Sequence, residues 1–155
     1  MVEVTFRFVE PNSWVGRLIT WRLKEPWSHV VILVDDVVYS SQIPFVSMLP
    51  TDHKTVAMPP RNGLDVVISV SEEEAASIRQ WCESQVGTWY DLASILGWIL
   101  GANWLQSSKR SYCFEYCRKA AVHVGWLEPA RELIKGNRLI AELRQVVRLR
   151  GVTEY

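Results

Sequence analysis

The chain has 155 residues, 48% hydrophobic and 22% charged, which is enough to bury one ordinary core and suits a single domain over 1–155. Seventeen Lys and Arg cancel seventeen Asp and Glu to a formal charge of +0. That argues against a protein held mainly by nucleic-acid phosphates or by an anionic membrane, since both need excess positive charge.

Three cysteines, an odd number, exclude a disulfide scaffold and point to a thiol-reducing compartment or to one reactive thiol. Met1 to Phe6 holds no basic segment leading into an apolar run, so the sequence predicts no secretory signal and a cytoplasmic place in the producing cell. The longest apolar stretch, Leu92 to Leu105, is broken by Ser94 and Asn103 and falls short of the ~20 residues of a membrane span. A soluble chain without a transmembrane segment is expected.

In chain order, Val2 to Val9 alternates, with Val2, Val4, Phe6 and Phe8 on one face, and reads as a strand. Ser13 caps a short helix carrying Trp14, Val15, Leu18 and Trp21, and Pro26 ends it. Val30 to Val34 has the pattern of a strand buried on both faces. Asp35-Asp36 makes a hairpin turn into a return strand from Val37. Gln42 to Gly63 holds Pro44, Pro50, Pro59 and Pro60 and reads as a long connection with short strands at Phe45–Leu49 and Thr55–Met58. Leu64 to Val70 is a further strand. Ser71 and Glu74 form a capping box for a helix that runs to about Val86 and stops at Gly87. Two more helices are expected, Asp91 to Leu100 and Ser111 to Val124, the last ended by Gly125. Arg138 to Leu149 suits strand or helix. Strands first and helices later predict an α+β domain with an antiparallel sheet packed against helices.

Several residues carry chemistry. With Ser111 as cap, Cys113 falls in the first turn of its helix, where free N–H groups and the helix dipole favour a thiolate and offer donors to an oxyanion. Free cysteine is also a common buried core residue. Cys113 and Cys117 lie one turn apart, but the second pair of ligands that structural zinc needs is missing, so no metal is expected. His29 stands at the mouth of its strand, where an imidazole either reaches beyond the sheet edge or simply hydrogen-bonds at the strand end, the commoner case for a histidine taken alone. His123 lies nearly three turns along the Cys113 helix on another face, a poor base for that thiol. Gly87-Thr88-Trp89-Tyr90-Asp91 makes a tight corner in which Tyr90 either offers a hydroxyl to a site or merely packs. The eight tryptophans are spread over most elements and read chiefly as core or half-buried packing, a greasy surface lined by Trp98 and Trp104 being the alternative.

These pieces together resemble the circularly permuted branch of the NlpC-type papain-like hydrolases, in which the histidine strand precedes the cysteine helix. Trp27-Ser28-His29-Val30 is similar to the family's "W-S-H-V-G-I" strand, and Asp36-Val37-Val38-Tyr39-Ser40-Ser41 to its "G-x-V-x-E-A" return strand. Gly87-Thr88-Trp89-Tyr90-Asp91 matches "G-K-P-Y-D", and Tyr112-Cys113-Phe114-Glu115 matches "F-C-S-E-L". The resemblance covers about residues 1–127 and leaves 128–155 as a C-terminal extension that covers the site, adds an edge strand or holds a second subunit. Compact members of this kind are often encoded by phages and prophages, which adds a virion-associated or envelope-delivered protein to the expected locations.

What the resemblance implies is a permuted papain-like fold with Cys113 as nucleophile and His29 as its general base, working without a cofactor. The family's imidazole-orienting residue falls on Ser40. A hydroxyl accepts a hydrogen bond from imidazole but does not stabilise imidazolium as a carboxylate does. Gln42, on the same strand face, is the other orienting candidate. Phe114 also replaces the small residue usual after the cysteine. Tyr90, Gln42 and Trp27 are the substrate-binding candidates, and Glu115 is expected to make a structural contact at the helix start. Three functions follow: a cysteine hydrolase cutting an amide bond, with cell-wall (peptidoglycan) peptides as the family's commonest substrate; a thioester acyltransferase or lipid-ester hydrolase; and an inactive relative that binds or assembles. Neither partner nor oligomeric state can be read from the residues.

Overall fold

The computed structural model describes residues 1–42, 45–54, 56–58, 62–91, 93, 96–97, 112–130 and 134–150. Five antiparallel strands form one sheet in the order β4-β3-β2-β1-β5: β1 (Val2–Val9), β2 (His29–Val34), β3 (Val37–Ser41), β4 (Val46–Pro50) and β5 (Gly63–Val70). Four bounded helices join them among the described residues: α1 (Trp14–Leu23), α2 (Glu72–Ser84), α3 (Cys113–His123) and α4 (Gly136–Leu149). This is the expected α+β class. No described helix is long and apolar enough to cross a membrane.

The alternation in β1 places Val4, Phe6 and Phe8 at 0% exposure on the core face. Arg7 points to the other face, where its guanidinium meets the Asp65 carboxylate of β5 through two bonds of 2.8 Å. These residues are register partners, so the ion pair also fixes how β1 meets β5. The β2 run is buried on both faces for a visible reason. Val30, Ile32 and Val34 join the main core, while Val31 packs with Val38 and Val56 on the reverse side. The Asp35-Asp36 turn joins the paired Val34 and Val37, with Asp35 in the left-handed region at φ 53 that aspartate tolerates.

Several boundaries differ from expectation. α1 is capped by Ser13, whose hydroxyl accepts the Gly16 N–H, but it ends at Lys24, which takes the left-handed conformation (φ 56) before Pro26 is reached. The strand expected at Thr55–Met58 is instead a turn, with the N–H groups of Val56 and Ala57 both donating to His53 O; Thr55 lies outside the described residues. Most of the helix expected over Asp91–Leu100 lies outside them too, with Trp98 and Trp104. α2 forms its capping box as expected and turns away at Gly87 (φ +86).

The C-terminal segment is no appendage. Apolar residues at helical spacing (Leu139, Ile140, Leu143, Val146 and Val147) all enter the main core, which resolves the strand-or-helix ambiguity in favour of helix. α4 lies on β5 and against α3, where Glu142 accepts from Nε and Nη2 of the buried Arg118 at 2.9 and 3.1 Å. Among the described residues the segment adds no edge strand, and its apolar stripe is consumed within the chain. The tryptophans divide unexpectedly: Trp27, Trp81 and Trp126 are half-buried, but Trp14, Trp21 and Trp89 are exposed.

Candidate functional site

Cys113 is the first residue of α3, and the start of that helix sets its position. The N-cap is Tyr112, not the expected Ser111, which lies outside the described residues. Tyr112 caps with no side-chain bond. Its hydroxyl instead accepts the Ile134 N–H at 2.7 Å and donates to Ile134 O at 3.2 Å, tying the helix start to the segment that leads into α4.

The Cys113 sulfur is 3% exposed with its residue and faces the beginning of β2. Burial is the largest influence on it and pushes the thiol up to about 11. The N–H groups of Val30, Phe114 and Cys113 itself, and then the Tyr90 hydroxyl, pull the other way without cancelling the burial. The thiolate expected from the helix dipole alone is therefore corrected: the helix start does supply donors, but the surrounding core costs the anion more than they return.

Tyr90 is held against Cys113 by the corner the sequence marked. Gly87 donates to Val46 O and Val46 to Thr88 O, both at 2.9 Å, so the corner is sewn to the start of β4. Phe45 and Trp89 then bridge and stack edge-on at 6.2 Å. Burial raises the Tyr90 hydroxyl well above its ordinary range, and the nearby Cys113 adds to the shift, so it stays protonated and able to donate. Asp91, next in sequence, is fully buried.

His29 opens β2 opposite Val9. Its Nε2 lies 2.9 Å from Ser40 Oγ, and Ser40 donates to Gln42 Oε1 at 3.4 Å. A serine hydroxyl has one proton. With that proton given to Gln42, Ser40 Oγ is the acceptor for His29 Nε2–H. Ser40 and Gln42 thus act in series, where the sequence offered them as alternatives.

The two halves meet at one residue. Val30 follows His29; its N–H faces the Cys113 sulfur, while its C=O accepts the Cys117 thiol at 3.7 Å. Two thiols one turn apart on α3 therefore grip the backbone of the residue beside His29. No side-chain pattern signals this contact, because Val30 contributes only its peptide groups. Cys117 is wholly buried and its thiol is raised well above the ordinary range by that burial. Among the described residues no group of three or more His, Cys, Asp or Glu is placed to hold a metal.

The remaining candidates lie as follows. Trp27 stacks edge-on against Phe8 at 6.2 Å and donates its indole N–H to Asn137 Oδ1 at 3.1 Å, linking the approach to β2 with α4. His123 sits at the far end of α3, 3.3 Å from Ser77 Oγ and stacked near Trp81, remote from Cys113 along the helix. Glu115 pairs with Lys119 at 3.0 Å, and burial raises its carboxyl. Its other oxygen, Oε2, is buried and has no hydrogen-bond partner among the described residues, and Glu115 lines a cavity of about 150 Å³ with Arg118 and Ile134.

No protein-family model matches the sequence, and no curated protein is significantly similar to it.

Proposed function

We propose that the chain is a cysteine hydrolase that cleaves an amide bond through a thioester on Cys113, with cell-wall peptides as the substrate class. One observation carries this reading: the Cys113 sulfur lies against the backbone of Val30, directly after a His29 whose Nε2 is occupied by the Ser40–Gln42 relay. In this mechanism His29 Nδ1 takes the thiol proton as the sulfur attacks the carbonyl carbon. The Cys113 and Phe114 N–H groups receive the developing oxyanion. His29 then returns the proton to the leaving amine, and water releases the acid from the thioester. A high thiol pKa suits this order of events, since proton transfer accompanies attack and no ion pair has to exist beforehand. The test is turnover of peptidoglycan-derived peptides, with intact-mass detection of acyl-Cys113. Loss of both in Cys113→Ala and His29→Ala with the fold retained supports the reading, and undiminished turnover in Cys113→Ala ends it.

A second reading is a binding or assembly module descended from such an enzyme. It is favoured by the same thiol, which burial raises, and by a hydroxyl where the family carries an acidic group. No acyl adduct with peptide or ester substrates, together with turnover at background, would establish it. An acyl adduct from ester or lipid donors only would move the assignment to acyl transfer or lipid-ester hydrolysis.

A further inference from the structure

We infer that Cys117 is a positioning residue for the reaction proposed above: its thiol takes the place of a strand partner that β3 does not supply to Val30, and so fixes the end of β2 that carries His29. The role rests on the hydrolase reading, and the geometry rests on the sheet register. In an antiparallel ladder, successive residues turn their N–H and C=O to opposite neighbours. Val34 and Val37 close the two-residue hairpin, so Val34, Ile32 and Val30 turn theirs towards β3, and Val31 and Leu33 towards β1. Among the described residues the β2–β3 pairing nevertheless stops at Ile32↔Tyr39, although Ser40 and Ser41 continue β3 beside Ser47 and Val46. The two strands therefore part at Val30, and both of its peptide groups point into the gap.

α3 answers them. Cys113 and Cys117 are four residues apart, about 40° round the helix and about 6 Å along it, so both sulfurs lie on one side. α3 packs on β2 and β3, and the Cys117 thiol donates to Val30 O at 3.7 Å. The Val30 N–H turns to the Cys113 sulfur. Val30 and Cys117 are both 0% exposed, so no solvent competes for this carbonyl, and a buried C=O left without a donor is costly. Cysteine tolerates that depth because it behaves as a small hydrophobe with a weak S–H donor. On the N-terminal side of Ile32, strand pairing holds β2 to β1 alone, through Val31, Val30 and His29. The Ser40 hydroxyl holds the ring of His29, while the Cys117 thiol holds the backbone beside it. Removing the thiol frees the His29–Val30 end of the strand to shift relative to α3, and moves the imidazole relative to the Cys113 sulfur without altering either group.

The test compares Cys117→Val, which keeps the bulk and removes the donor, with Cys117→Ser, which keeps a donor, in the full chain. The Val30 carbonyl ¹³C and amide ¹H shifts and the His29 ring ¹⁵N shifts should move in Cys117→Val and return towards the parent in Cys117→Ser. For peptidoglycan-derived peptides, kcat should fall at least about tenfold in Cys117→Val with KM within about twofold, and Cys117→Ser should recover most of the loss. Val30 and His29 shifts that keep their parent values in Cys117→Val overturn the inference, as does a kcat lowered equally by both substitutions. In a parent chain that forms no acyl-Cys113 the hydrolase reading fails and the positioning role falls with it, while the shifts still tell whether Cys117 holds β2, so the two failures are distinct. Cys117→Ala carries the same comparison if far-UV circular dichroism shows that the valine variant does not fold.

Discussion

Alkylation of Cys113 is the measurement in which burial and helix-start electrostatics compete most directly. A thiol raised from 9.0 to about 11 has lost roughly 3 kcal/mol of thiolate stability, the net of desolvation over the four donors around it. At pH 7.4 a group of that pKa is about 0.03% thiolate, against about 7% for an exposed cysteine of pKa about 8.5. Iodoacetamide should therefore label Cys113 about 300-fold more slowly than a model peptide thiol, and more slowly still because the residue is only 3% exposed. The assay is residue-resolved mass spectrometry over pH 6 to about 10.5, which separates Cys113 from Cys82 and Cys117. The rate should climb close to tenfold per pH unit across the whole range. A plateau near neutrality, or a rate at pH 7.4 within tenfold of the model thiol, would refute the reasoning, because it would require a thiolate–imidazolium pair stronger than the burial cost.

Ser40→Ala removes the acceptor that holds the Nε2–H form of His29; ring ¹⁵N shifts should report Nε2–H in the parent and mixed tautomers in the variant, with turnover lower by at least about tenfold. Glu74 is held down to about 2 by its bonds to Arg150, with further bonds from Ser71 and Trp126. A depressed carboxyl stabilises the fold fully above its unfolded value of 4.5 and loses that contribution as the pH falls through about 2. Since both partners are about 30% exposed, the full shift is discounted for solvent: Glu74→Gln should cost roughly 1–2 kcal/mol at pH 7 by urea unfolding, with the gap closing between pH 4.5 and 2. Leu143→Ala should cost about 2–5 kcal/mol, and a chain ended after Leu127 should lose cooperative unfolding, because α4 covers the core over β5. A truncated chain that melts as sharply as the full one would return 128–155 to the status of an extension.

Strands β1, β2 and β5 and the box at Ser71 and Glu74 were legible because their signals are local: alternation, β-branched runs and a cap three residues from its carboxylate. The pairing of His29 with Ser40 was implied by the family resemblance alone; the hairpin through Asp35-Asp36 is what brings the two strands together. α1 shows where such reasoning stops. Its apolar stripe was visible, yet amphipathic spacing tells only that two faces differ, and the attached one proved to be the narrow face of Gly16 and Leu23.

The sequence by itself determined the α+β class and which residues carry a thiol, an imidazole and a hydroxyl at the ends of their elements. Only the tertiary structure decided that burial raises the Cys113 thiol, that Val30 offers its backbone to two cysteines, and that α4 completes the core. The physical reason is common to all three. Desolvation, peptide-group contacts and the burial of a helix face are set by neighbours far away along the chain, and residue identity and spacing do not encode distance in space.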